Sequence, residues 1–202
     1  MLLFLDVISP IPEFFIIEDN KLIFQRKIIE NKSENLSDYI FETYIKINKE
    51  YNLNYNLDKI VMTIGPGSYT SLRIGAAFVS GLCISKNLEF YPLSMTDMYA
   101  FKANNKFENI AFFIYSAKNQ KFLCSMRNNK INYTKIENGK DILQNNISKI
   151  FYNIEEYNTK LKKLEQIKFS FIDEVMENHS KLVFKKNNII KPIYVSNNNI
   201  LN

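Results

Sequence analysis

The run Lys59–Leu82, KIVMTIGPGSYTSLRIGAAFVSGL, decides how the rest of the chain is read. It holds Gly65, Gly67, Gly75 and Gly81, four of the five glycines in 202 residues. KIVMTIG is a short, unbroken apolar run, the pattern of a fully buried strand. GPGS follows as a turn, and residues 70–86 take up a helical pattern with Arg73 near its start. A buried strand feeding a helix through a tight turn is the opening of a βαβ unit, which implies an α/β layered fold with parallel pairing. Gly75 and Gly81 fall inside the helix, where each costs about 1 kcal/mol relative to Ala. A bound phosphate, a catalytic turn or a closely packed helix could compensate.

Upstream, LLFLDVI, FFIIED and KLIFQRKI are three strand-length apolar runs, separated by Pro10, Pro12, Asp19 and Asn20. They predict an opening three-strand meander. From Asn35 to Tyr51 the period changes: Leu36, Ile40, Tyr44, Ile47 and Tyr51 share one helical face, and Tyr39, Phe41 and Ile45 widen it. Downstream come a short strand at Phe90–Leu93 and a helix at Thr96–Ala103. The second half restarts with the strands ENIAFFIYS, KFLCSMR and KINYTKI, the last two joined by a turn at Asn128-Asn129. Polar helical or irregular material is expected over 140–165, then strands at IKFSFID and PIYVSN. The expected division is an N-terminal α/β lobe at 1–104 and a C-terminal α/β lobe at 105–202, linked through Asn104–Lys106.

At 46% hydrophobic and 23% charged, the composition is that of an ordinary globular chain. No apolar run reaches the roughly 18 residues that span a bilayer, and MLLFLDVISP lacks a basic leader and is broken by Asp6. A cytoplasmic protein without membrane contact is expected. Cys83 and Cys124 lie far apart in apolar surroundings, as buried free thiols would. Residues 1–100 carry nine basic against twelve acidic side chains, and 101–202 carry seventeen against nine. The basic half could be a nucleic-acid surface, with Lys160–Lys168 its densest run, but solvated lysines explain it better.

The catalytic inventory is thin. GPGSYTSLR is neither G-x-x-x-x-G-K-[ST] nor G-x-G-x-x-G, and Pro66 removes a backbone donor. Ser68 lacks the G-x-S-x-G spacing of a nucleophile elbow and better fits a helix cap, as does Thr70. His179, the only histidine, sits in the polar stretch ENHSK. Asp6 has no second carboxylate at a useful spacing and fits a local turn. Helix packing is left: Ser71, Gly75 and Val79 repeat every four residues, and Ala77 and Gly81 make a second pair on an adjoining face. The 35–51 and 70–86 helices both carry more apolar surface than one sheet can cover, which predicts a protein–protein interface.

TIGPGSYTSLRIGAAFVSGL resembles the G-P-G-S-[FY]-T-G-L-R-I-G signature of the bacterial TsaB (YeaZ) family. KSENL, PLSMTDMYA and PIYVS resemble its H-S-E-x-L, [GV]-[VS]-S-S-L-x-x-[LM]-A and P-x-Y-x-R segments. The likeness is strong over 58–100, fair over 1–57 and weak beyond 105. It implies a two-lobed actin-like (ASKHA, ribonuclease H-like) fold with a truncated second lobe. It further implies a non-catalytic scaffold in the threonylcarbamoylation of the tRNA adenosine beside the anticodon. The implied partners are the paralogue TsaD and the ATPase TsaE. A homodimer is the open alternative when the chain is alone, and tRNA is met through the complex. No cofactor of its own is implied, with ATP and metal carried by the partner subunits. The residues expected at the partner contact are Leu36, Tyr39, Ile40, Tyr44, Ser71, Leu72, Ile74, Gly75, Phe78 and Val79. The signature loop is Gly65, Pro66, Gly67, Ser68, Tyr69, Thr70 and Arg73. The chain departs from the family pattern at Lys32 (a histidine), Ser71 (a glycine), Tyr115-Ser116-Ala117 (D-A-R) and Ser196 (an arginine). The rival readings are a nucleotide-dependent ATPase, phosphotransferase or peptidase, and an RNA-binding module.

Overall fold

The computed structural model describes residues 1–102, 109–127, 130–136, 147–154, 164–186, 189–196 and 199–201. The chain opens with β1 (Leu2–Asp6), β2 (Glu13–Glu18) and β3 (Lys21–Lys27), the expected antiparallel meander. Asp19 and Asn20 both take the left-handed conformation at the β2–β3 turn (φ 49° and 59°), which Asp and Asn tolerate better than most residues. Then follow α1 (Leu36–Tyr51), a one-turn helix α2 (Leu53–Asn56), β4 (Lys59–Thr63), α3 (Tyr69–Lys86), β5 (Glu89–Leu93) and α4 (Met95–Lys102). β4 pairs in parallel with both β1 and β5, giving a sheet of order β3-β2-β1-β4-β5. β1 and β4 are apolar and almost entirely buried, because helices or chain cover both faces. Tyr44 of α1 and Phe78 of α3 meet over Phe14 of β2, with ring centroids 5.4–6.4 Å apart, so the two helices lie side by side on one face of the sheet.

A second sheet, of order β10-β9-β6-β7-β8, is built from β6 (Ile110–Tyr115), β7 (Lys121–Arg127), β8 (Lys130–Lys135), β9 (Lys149–Tyr152) and β10 (Glu165–Lys168). α5 (Phe171–Glu177) follows, and the chain ends in a small hairpin of β11 (Tyr194–Ser196) and β12 (Asn199–Leu201). Within 140–165, expected to be polar helical or irregular, the described part holds β9: Ile150 and Phe151 are buried between β6 and β10. IKFSFID divides, with β10 ending at Lys168 and Phe171–Asp173 opening α5. The reason is local: the Ser170 hydroxyl accepts from the Asp173 amide (3.1 Å) and caps the helix. The Asn128-Asn129 turn, the Asn104–Lys106 linker and Lys160–Lys163 lie outside the described residues.

One continuous apolar core runs from the first sheet through α4 to β6, β7, β9 and α5. The Tyr99 hydroxyl of α4 donates to the carbonyl oxygens of Ile110 and Cys124, fastening that helix to the second sheet. Lys102 of α4 forms an ion pair with the buried Glu174 of α5. Past α5 the chain returns to the first sheet. Phe90 and Lys185 exchange both backbone hydrogen bonds at the β5 edge, and the Ile193 amide donates to the Ile64 carbonyl (2.7 Å).

Candidate functional site

The glycines of the signature stretch have separate explanations. Gly65 has φ +123°, and a Cβ there would stand 2.5 Å from the Ile193 carbonyl oxygen; only a bare backbone lets the C-terminal segment dock. A Cβ on Gly67 would press on the Ser116 hydroxyl at 3.2 Å and on Ile8. On Gly75 it would stand 2.9 Å from Val7 Cγ1 and 3.3 Å from Met62 Cε. This corrects the reading of Gly75 as a seat for a foreign helix: it lets α3 settle onto β1 and β4. Gly81 alone has nothing within 4 Å of an added Cβ and is exposed.

The loop is packed into the chain, with Gly65, Pro66, Gly67 and Ser68 all buried. Ser68 caps α3, its hydroxyl accepting from the Ser71 amide (3.4 Å), while its own amide donates to the Ser116 hydroxyl (2.9 Å). Asp6 is buried beside it. Its Oδ1 accepts from the Ile8 and Ser9 amides and from the Thr63 hydroxyl at 2.9–3.3 Å, and the Thr63 oxygen accepts from the Val7 amide. Burial raises the Asp6 carboxyl above its usual range, against these hydrogen bonds. The turn role expected for Asp6 and the cap expected for Ser68 are what the geometry gives. Cys83 and Cys124 are buried free thiols, and burial pushes Cys83 up to about 11. His179 is half-buried, with its ring 6.4 Å from Phe184, rather than lying on an open polar surface.

Of the ten residues expected at a partner contact, Leu36, Ile40, Tyr44, Ser71, Leu72, Gly75 and Val79 are buried within the chain, facing its own sheet. Ile74 and Phe78 are half-buried and Tyr39 is exposed. The outward surface is carried by neighbours a fraction of a turn away. At about 100° per residue, Phe41 and Ile45 rotate out from Tyr44, and Ile74, Gly81 and Ala77 rotate out from Phe78. By that rotation they fall on the side of the Tyr44–Phe78 contact away from Phe14 and the sheet, along the seam between α1 and α3. Phe41 is 63% exposed and Ile84, one turn beyond Gly81 and two beyond Ala77, is also 63% exposed. At the floor of the seam the Tyr44 hydroxyl and Asn48 Oδ1 are buried with no hydrogen-bond partner among the described residues. The sequence carried the signal for this surface: residues off the main apolar stripe are the ones that the sheet does not cover.

At the N-terminal end of α3, Tyr69 is 52% exposed. Its ring lies 4.6 Å from that of Tyr194, the Arg73 guanidinium sits 5.1 Å from its centroid, and Arg73 Nη1 donates to its hydroxyl (3.3 Å). No helix among the described residues is long and apolar enough to cross a membrane.

The solved structure of YeaZ from Pseudomonas aeruginosa superimposes with a TM-score of 0.56 at 14% identity, over 96% of this chain and 99% of that one, which establishes the shared fold. A crystal structure of an uncharacterized protein with similarity to peptidase YeaZ from Pseudomonas aeruginosa gives a TM-score of 0.43 at 16% identity, over 75% of this chain and 74% of that one. No curated protein matches the sequence. The family model that matches, over residues 25–193, is described as TsaD: tRNA N6-adenosine threonylcarbamoyltransferase. The chain therefore belongs to the TsaD family and has the two-lobed α/β fold of YeaZ.

Proposed function

We propose that this chain is a cytoplasmic, non-catalytic subunit of the machinery that threonylcarbamoylates tRNA adenosine, and that it pairs with a TsaD-family enzyme through the seam between α1 and α3. The observation that carries the reading is Gly81. It is a helix-interior glycine with open space around it, with Ile84 exposed one turn on and Phe41 and Ile45 exposed on the neighbouring α1, so its cost to the helix has no return inside the chain. Family membership supplies the chemistry and the partner class. The packed loop around Asp6, Ser68 and Ser116 favours a subunit that leaves ATP and metal to its partners. In this reading a TsaE-type ATPase joins the pair, and the same seam closes a homodimer when the enzyme is absent.

Co-purification tests it. Phe41→Asp places a charge on the exposed seam without touching the core. The tagged wild-type chain should retain the TsaD-family enzyme of its own cell, and Phe41→Asp should release it with the melting temperature unchanged. Equal retention by both would overturn the assignment.

A further inference from the structure

The seam does not account for Tyr69, Arg73 and Tyr194. Tyr69 is half open at the first turn of α3, packed against Tyr194 on one side, with the Arg73 guanidinium over its ring. Arg73 is one of only three arginines in the chain and is exposed. Among the described residues no carboxylate lies within ion-pair distance of it. The platform is also held firmly. Ser68 caps the helix that carries Tyr69, and the Ile193–Ile64 hydrogen bond with the bare Gly65 pins the strand that carries Tyr194. Two rings 125 positions apart in the sequence are thus fixed as one surface.

Two further cations belong to the segments that meet it. Ser116, bonded to the Ser68 amide, is two residues from the exposed Lys118, and Lys191 is exposed two residues before Ile193. Aromatic faces with an unpaired guanidinium and dispersed lysines are what an unstacked base and its flanking phosphates require. We infer that Tyr69, Arg73 and Tyr194 form a stacking platform for an unpaired base of an RNA strand, with Lys118 and Lys191 attracting the neighbouring phosphates. A strand is favoured over a free nucleotide because Lys118 and Lys191 come from two separate segments, one joined to the loop through Ser116 and the other leading into β11, rather than from one phosphate-binding loop. The inference rests on the proposed function for the identity of the RNA, a tRNA. It places a direct RNA contact on this subunit, beside the partner seam but not in it.

The test measures binding of a fluorescein-labelled, unmodified tRNA transcript by anisotropy, with the full-length chain alone and with its TsaD-family enzyme. Wild-type binding should weaken steeply with salt. Tyr69→Ala and Arg73→Ala should each weaken it about tenfold, Tyr69→Phe should restore it, and all three should keep the enzyme in co-purification. Unchanged tRNA affinity for Tyr69→Ala would overturn the inference. So would Tyr69-dependent binding of ATP without any for tRNA, which would make this a free-nucleotide site. Loss of co-purification by Phe41→Asp with Tyr69-dependent tRNA binding intact would uphold both readings. Retention by Phe41→Asp, with tRNA binding still dependent on Tyr69, would sink the seam assignment alone.

Discussion

Replacing Gly81 separates the chain's own stability from its partner's needs. Gly81 lies inside α3, is exposed, and, its own helix backbone aside, has nothing within 4 Å of where a Cβ would stand. Gly81→Leu therefore removes a helix-interior glycine without a clash. Leu is close to Ala in helix preference, so the gain should be about 1 kcal/mol. For a chain of this size that raises the melting temperature by roughly 2–4 °C. A bound partner meets the opposite consequence, because four extra carbons enter a surface proposed to take another helix closely. Overpacking of that kind costs about 1–3 kcal/mol, or roughly five- to 150-fold in affinity. Circular-dichroism melts of the isolated variant, alongside titration against the TsaD-family enzyme, give both numbers. A lower melting temperature would refute the open space around Gly81. A higher one with unchanged affinity would refute the seam as the docking face.

Gly75→Ala should destabilise the isolated chain by about 1–3 kcal/mol in urea denaturation, since its Cβ would press on Val7 and Met62. Lys102→Met should cost roughly 2–3 kcal/mol by the same assay, because it leaves the buried Glu174 carboxylate unpaired, whereas Lys102→Met with Glu174→Gln should recover much of the loss. Tyr44→Phe removes a buried hydroxyl that has no hydrogen-bond partner among the described residues and should hold or raise stability, by up to about 1–2 kcal/mol. Asp6→Asn keeps an acceptor oxygen for Ile8, Ser9 and Thr63 while removing a buried charge. Because the folded Asp6 carboxyl is raised, its stabilising contribution is present below the unfolded value near 3.8 and is lost as pH rises through the folded value. The wild-type melting temperature should therefore gain on that of Asp6→Asn as pH falls from 7 toward 4, and a constant gap between them would refute the raised value.

The first sheet was legible because its strands are buried on both faces or bounded by Pro, Asp and Asn, and because α1 and α3 are long enough to show a helical period. β9 was not, since IFY is a short apolar run inside a polar region and its burial depends on β6 and β10 on either side. The start of α5 was legible in principle: Ser170 followed three residues later by Asp173 is a capping pattern, masked by the apolar alternation of IKFSFID. At the candidate site, glycine spacing pointed to α3 but could not say which way each glycine faces. Gly65 and Gly75 answer to Ile193 and to Val7 and Met62, contacts set by tertiary packing that spacing alone does not contain. Apolarity marked Leu36, Ile40, Leu72 and Val79 for a partner, although those residues fill the core, while Phe41 and Ile45, read as widening the apolar face, stand off the stripe and are left exposed.

Amide hydrogen exchange, with and without the TsaD-family enzyme, addresses the central claim most directly. Protection should rise along the outer turns of α1 and α3, around Phe41–Ile45 and Ala77–Ile84, with the second sheet unchanged. Protection confined to the second sheet, or none on either helix when the enzyme is bound, would contradict it.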